Sequence, residues 1–185
     1  MSDSKSPCPP PGDGAKTEVL IVCTGNACRS QMAEALWRHL AGDRYEVTSA
    51  GTYPAGVHPL ARHVIEELGI DAAGQFSKSV FSLEDRSFDL VVTVCDDARE
   101  ICPVFPGHPQ QLHWPFLDPI LAPGTEPERL EAFRYIRDQI RAKIEGFLAA
   151  AGPPAAPGTP VAPPAAAGRD LPDPSGDSSP RRPSP

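Results

Sequence analysis

Apolar residues along the chain fall into short runs and helical stripes that alternate. Val19-Leu20-Ile21-Val22 is rich in β-branched residues and apolar on both faces, as a central parallel strand requires. Beyond a polar loop, Met32, Leu36 and Leu40 recur four apart, which predicts a helix over about residues 30–40 with Gly42 as its stop. Residues 45–50 alternate weakly and read as a second strand, and 51–56 as a loop. Pro59 suits the first position of the next helix, with Leu60, Val64 and Leu68 as its apolar face and Gly69 at its end. Residues 71–82 carry no clear period, and 83–86 suggest a single helical turn. A buried strand over 88–94 contains Leu90-Val91-Val92 and runs directly into Cys95. Residues 96–101 allow one or two turns of helix, stopped by Cys102-Pro103 because proline disfavours helix at the residue before it. A short strand follows over 111–114, then a constrained loop, Pro115-Phe116-Leu117-Asp118-Pro119. Thr125-Glu126-Pro127-Glu128 reads as a capping box with proline in the first turn. The long helix it opens carries Leu130, Phe133, Ile136, Ile140, Ile144 and Phe147 to about residue 148. Four strands alternating with helices argue for an α/β fold: a four-stranded parallel sheet with helices on both faces.

Composition sets the limits of that domain. The chain has 185 residues, enough for one core, and its 24 prolines cluster toward the ends. Residues 1–16 and 151–185 are rich in Pro, Gly, Ala, Ser and Asp, too poor in apolar surface to offset their ordering entropy. Both are expected to be disordered, flanking a domain over 17–150. Each end sums to zero formal charge, so the net charge of −7 belongs to the domain. An acidic domain argues against nucleic acid as partner, and Arg181-Arg182 is too short for a basic patch. No apolar run approaches a membrane span and no secretory signal opens the chain, so the expected location is the cytoplasm. Cysteines there stay reduced and more often do redox or metal chemistry than staple a fold.

The chemistry gathers at Cys23-Thr24-Gly25-Asn26-Ala27-Cys28-Arg29-Ser30. A loop entering a helix turns unpaired N–H groups toward one point, which suits an anion. Five residues between Cys23 and Arg29 can wrap a tetrahedral oxyanion with backbone amides, and the arginine adds a two-pronged donor. A cysteine in that field is biased toward its nucleophilic thiolate, which Ser30 can support by a hydrogen bond. The same spacing also fits a plain strand–turn–helix with a buried cysteine; the preceding strand, Gly25, Asn26 and the following helix favour the anion pocket.

Two more thiols bear on this loop. Cys95, like Cys23, ends a predicted parallel strand, and ligands of open parallel sheets bind beyond such ends. Cys102 stands seven residues on, about 10.5 Å along an intact helix, whereas disulfide-bonded cysteines have Cα atoms about 4.4–6.8 Å apart. A Cys95–Cys102 bridge would therefore require the segment to unwind; two small buried residues are the plainer alternative. Asp118 is a candidate general acid or base, although aspartate before proline is also ordinary turn chemistry. His39 and His63 fall on helices, His58 and His108 in loops and His113 at a short strand. None has metal-ligand spacing with the cysteines, so no metal site is expected.

On these residues the chain resembles the thioredoxin-coupled arsenate reductases, which are built on the low-molecular-weight protein tyrosine phosphatase fold. The likeness spans about residues 18–148. Its carriers are the loop from Cys23 through Gln31-Met32-Ala33-Glu34, then Ser49-Ala50-Gly51, Val91 to Cys95, Cys102-Pro103, His113-Trp114 and Asp118-Pro119. The resemblance implies that Cys23 attacks arsenate while Arg29 and the loop from Thr24 to Ser30 hold the oxyanion, and that Asp118 protonates a leaving oxygen. It further implies that Cys95 attacks Cys23, releasing arsenite, and that Cys102 attacks Cys95 to leave a disulfide for thioredoxin to reduce, by ordinary thiol exchange. Cys28 has a structural place in this scheme. No bound cofactor is implied, phosphate would compete with arsenate, and a monomer is expected. Some relatives bind potassium through residues matching Asn26, Glu34 and Ser49 with an aspartate further on; Lys78 stands near that last position, so its ammonium is expected to replace the ion.

Three other readings share part of this machinery. A low-molecular-weight phosphatase would need Cys23, Arg29 and Asp118 but neither Cys95 nor Cys102. A reductase using a small thiol such as mycothiol or glutathione would not need that pair either. A redox-responsive oxyanion-binding module would need no acid.

Overall fold

The computed structural model describes residues 15–152. The expectation of disorder at the ends, and Cys8 with it, lies outside the described residues. Four strands form one sheet: β1 (Thr17–Cys23), β2 (Tyr45–Gly51), β3 (Leu90–Thr93) and β4 (Gln110–His113). All pairings are parallel and the order is β2-β1-β3-β4. Helices α1 (Arg29–Ala41), α2 (Pro59–Glu66), α3 (Asp96–Ile101) and α4 (Glu126–Ala151) connect and cover it. The β1-to-β2 connection runs one way along the sheet and β3-to-β4 the other. Right-handed crossovers therefore place α1 and α3 on opposite faces and open a crevice between the C-terminal ends of β1 and β3.

The core is the sheet and the helix faces against it. Val19 to Val22 and Leu90 to Val92 are buried throughout, which explains their unbroken apolar runs. Trp37 of α1 stacks on Trp114 just past β4, their rings 5.6 Å apart and 9° from parallel. Tyr45 of β2 and Phe147 of α4 pack their ring edges and faces around the same pair. Thr125 and Glu128 form the capping box expected at the start of α4.

One expectation needs correcting in detail. The face α2 buries is Ala61, Val64 and Ile65, whereas Leu60 and Leu68 are only partly covered. The elements it packs against are α1 and α4. A 3-10 turn over Val80–Leu83, begun by Ser79, whose hydroxyl accepts from Phe81 N–H, runs into the turn expected at 83–86, which Arg86 N–H closes on Leu83 O at 2.9 Å. No helix among the described residues is long and apolar enough to cross a membrane.

Candidate active site

The loop between β1 and α1 is held from outside by its carbonyls. Cys23 O accepts Thr52 N–H, Thr24 O accepts Tyr53 N–H, Gly25 O accepts Ala55 N–H and Ala27 O accepts His58 N–H, at 2.8–3.2 Å. Asn26 O takes the Gln31 side-chain amide at 3.0 Å. With its carbonyls engaged outward, the loop can turn its N–H groups toward one centre. Gly51 makes this close packing possible: a β-carbon there would lie 2.7 Å from both Asn26 N and Thr24 O. Asn26 itself has a φ of 43°, a left-handed conformation that asparagine tolerates better than most residues.

A chain of hydrogen bonds with a fixed direction runs through Asn26 to Cys23. Lys78 N–H donates to Asn26 Oδ1 at 2.8 Å, which fixes the orientation of that amide. Its Nδ2 then donates to Ser30 Oγ at 2.9 Å and to Ser49 Oγ at 2.8 Å. Because Ser30 accepts there, its own proton is free for Cys23 Sγ, 2.9 Å away. Asn26 N–H also points at that sulfur, at 3.1 Å. Two hydrogen-bonding groups thus converge on the Cys23 sulfur.

The other residues singled out from the sequence divide into those gathered here and one set apart. Arg29, buried at the first position of α1, points Nη2 at Asp118 Oδ2 (2.5 Å) and Nη1 at Phe116 O (3.1 Å). Asp118 also caps the 3-10 turn Pro119–Leu121, accepting Ile120 N–H on Oδ1, the turn chemistry that an aspartate before proline suggests. Cys95, at the N-cap of α3, meets the loop through Thr24: Oγ1 and Sγ are 3.3 Å apart. Cys102 stands at the far end of α3, half-buried, and burial pushes its thiol up to about 11. All four cysteines among the described residues are free thiols. Burial, with Asp118 and Cys23 adding to it, pushes the Cys28 thiol far up, which fits a packing residue of the loop.

Beside the loop, Glu34 is almost fully buried and has three partners. Ser49 N–H reaches Oε2 at 2.8 Å, Arg38 reaches Oε1 at 2.7 Å, and the Lys78 ammonium stands 3.8 Å from Oε2. Lys78 Nζ also donates to Ser49 O at 2.9 Å and lies over the Phe76 ring. Burial lowers the Lys78 pKa, with Glu34 opposing and Arg38 adding to the shift. These residues do not fit a potassium ion, because a cationic side chain already takes the Ser49 carbonyl and faces Glu34.

His58 was not singled out by sequence as a site residue. It caps α2 by accepting Leu60 N–H on Nδ1 at 3.1 Å, and its ring stacks on Phe133 of α4. His immediately before Pro59 is the signal that could have pointed to a cap. The Thr24–Cys95 contact had no such signal.

Residues 18–152 match the model of the low molecular weight phosphotyrosine protein phosphatases. The chain belongs to that family. It is 42% identical over 133 residues to an arsenate reductase of Shouchella clausii, covering 72% of this chain and 96% of that protein. An arsenate reductase of Bacillus subtilis is 42% identical over 129 residues, covering 70% of this chain and 93% of its own. Among solved structures, an arsenate reductase in the phosphate binding state superposes with a TM-score of 0.59 at 31% identity, over 74% of this chain and 99% of that one. A thioredoxin-dependent arsenate reductase of Corynebacterium glutamicum gives a TM-score of 0.52 at 34% identity, over 71% of this chain and 62% of that one.

Proposed function

We propose that this family member reduces arsenate to arsenite through Cys23, Cys95 and Cys102 and is returned to its dithiol state by thioredoxin. Cys23 Sγ attacks the arsenic; an As–S bond forms and an As–O bond breaks, the leaving oxygen taking a proton from Asp118. Arg29 and the loop amides hold the remaining oxygens. The Cys95 thiolate then attacks Cys23 Sγ. The S–S bond forms, the electron pair of the As–S bond stays on arsenic, and arsenite leaves. The Cys102 thiolate attacks Cys95 Sγ and Cys23 departs as thiolate. Thioredoxin supplies the two electrons that reopen the Cys95–Cys102 disulfide.

The observation that carries this reading is the contact between Thr24 Oγ1 and Cys95 Sγ. It stations a second thiol at the rim of the nucleophile's own loop, where ester hydrolysis has no use for one. The similarity to arsenate reductases supports the choice of oxyanion, and the phosphate-bound relative supports phosphate as a competitor. Lys78, in this reading, supplies the fixed positive charge that steadies Glu34, Ser49 and through them Asn26.

Arsenate-dependent NADPH oxidation with thioredoxin and thioredoxin reductase tests the proposal. Wild type should turn over, and Cys23→Ser, Cys95→Ser and Cys102→Ser should not. Full activity of Cys102→Ser with thioredoxin would overturn the three-thiol scheme. Hydrolysis of aryl phosphates by all but Cys23→Ser, without arsenate reduction in wild type, would favour a phosphatase instead.

A further inference from the structure

The helix between the two relay thiols is anchored by a side-chain contact that plays no part in the scheme above. His113, the last residue of β4, uses both ring nitrogens. Nδ1 lies 2.9 Å from Thr93 Oγ1 on the neighbouring strand β3. Nε2 lies 2.9 Å from Asp96 Oδ1, on the first residue of α3 and next to Cys95. The Thr93 hydroxyl is also 3.4 Å from Leu112 O. It can therefore donate to a neutral ring at Nδ1, or turn to Leu112 and accept from a charged one. Nε2–H donates to Asp96 in both cases, so the contact survives either state of the ring.

The rest of α3 is weakly held. Six residues are too few to stand as a helix unaided. Ala98 is the one buried side chain among the six. Its ends close through Arg99 N–H to Cys95 O at 3.3 Å and Cys102 N–H to Ala98 O at 3.0 Å. For Cys102 to reach Cys95, this helix has to come apart, because seven residues of intact helix span about 10.5 Å.

We propose that His113 and Asp96 form a clamp that keeps the first turn of α3 wound on the sheet and thereby sets the pace at which the disulfide passes from Cys23–Cys95 to Cys95–Cys102. The inference rests on the three-thiol reading. Both are positioning residues: neither touches arsenic or sulfur. The bond exchange itself is unchanged, with the Cys102 thiolate forming the new S–S bond, Cys23 leaving as thiolate and the Cys102 proton passing to water. What the clamp alters is how often α3 opens.

The test is a single turnover of the full-length reduced protein with arsenate and no thioredoxin. It is stopped by acid and alkylation, and each disulfide is counted by mass. In Asp96→Ala the second transfer should quicken about two- to fivefold, the range of a hydrogen-bonded pair whose carboxylate is largely exposed. Formation of Cys23–Cys95 should stay within about twofold of wild type. Asp96→Asn, which keeps an oxygen for Nε2–H, should fall between, and His113→Gln should resemble Asp96→Ala. Amide exchange over residues 98–102 should rise by the same factor in the reduced protein, a readout that needs no arsenate. An unchanged or slower second transfer in Asp96→Ala, with exchange also unchanged, overturns the clamp. A wild-type protein that makes no Cys95–Cys102 disulfide overturns the three-thiol reading itself, while faster exchange in Asp96→Ala would still show the contact holding the helix.

Discussion

Asp118 divides its carboxylate between two partners: Oδ1 accepts Ile120 N–H at 3.1 Å and Oδ2 receives Arg29 Nη2 at 2.5 Å. One oxygen shapes the turn and the other faces the loop that follows β1. Asparagine at 118 keeps an oxygen for the cap but cannot give up a proton. Asp118→Asn should therefore lower kcat for arsenate about a hundredfold or more with little change in Tm. Asp118→Ala should lose the cap as well, about 1 kcal/mol by denaturant titration. Equal kcat in Asp118→Asn and wild type would remove Asp118 from the chemistry.

Lys78 occupies the place beside Glu34 and Ser49 with its own charge. Wild-type activity should be the same in potassium and sodium chloride at equal ionic strength. Lys78→Met should lower Tm, since Glu34 keeps only Arg38 as a cationic partner, and should make activity respond to potassium. A several-fold potassium effect on wild type would count against this.

Cys102 has its thiol pushed up to about 11 while it stays packed. The length of α3 requires it to unwind before attack, but the packed helix is the resting state. The open thiolate therefore goes on gaining population above the ordinary thiol range of about 8.5, for as long as the packed thiol dominates. The rate of Cys95–Cys102 formation in single turnover should keep climbing with pH beyond about 8.5. A plateau at about 8.5 would mean that α3 is already open at rest.

His58 titrates below the ordinary imidazole range because of its burial and then the nearby Arg129 charge, with Asp118 opposing. A proton on Nδ1 would also abolish the bond it accepts from Leu60 N–H. The unfolded chain thus binds more protons than the folded one as pH falls through about 6.5, so this contribution to stability is complete above that pH and lost below it. Thermal melts at pH 5.5 and 7.5 should show a smaller Tm difference in His58→Asn, which keeps an N-cap oxygen, than in wild type. Identical differences in the two proteins would refute the assignment.

Legibility from sequence followed distance along the chain. Cys23, Arg29 and Ser30 could be read because the strand, loop and helix that place them are consecutive. Cys95 could be placed at the same crevice because a buried apolar run ends on it. Arg29 with Asp118, 89 residues apart, and Thr24 with Cys95, 71 apart, could not be paired, since periodicity says nothing about which loops meet. Gln31 and Glu34 are polar residues of α1 that are buried. Their partners, Asn26 O, Phe76 O, Ser49 N and Arg38, come mostly from other segments, and only those partners make polar burial affordable.

The parallel ladder between β1 and β3, with Val22 opposite Thr93, has a consequence for how the molecule tolerates change. Cys23 follows the one and Cys95 comes two places after the other. The two segments that carry them therefore leave the sheet side by side, from strands about 4.8 Å apart as in any sheet. That interval is fixed by amide-to-carbonyl bonds that no side chain supplies. Substitutions elsewhere in the core can reshape volume and stability while this ruler stays the same, so the nearness of the two segments is inherited from the backbone and not from the packing around it.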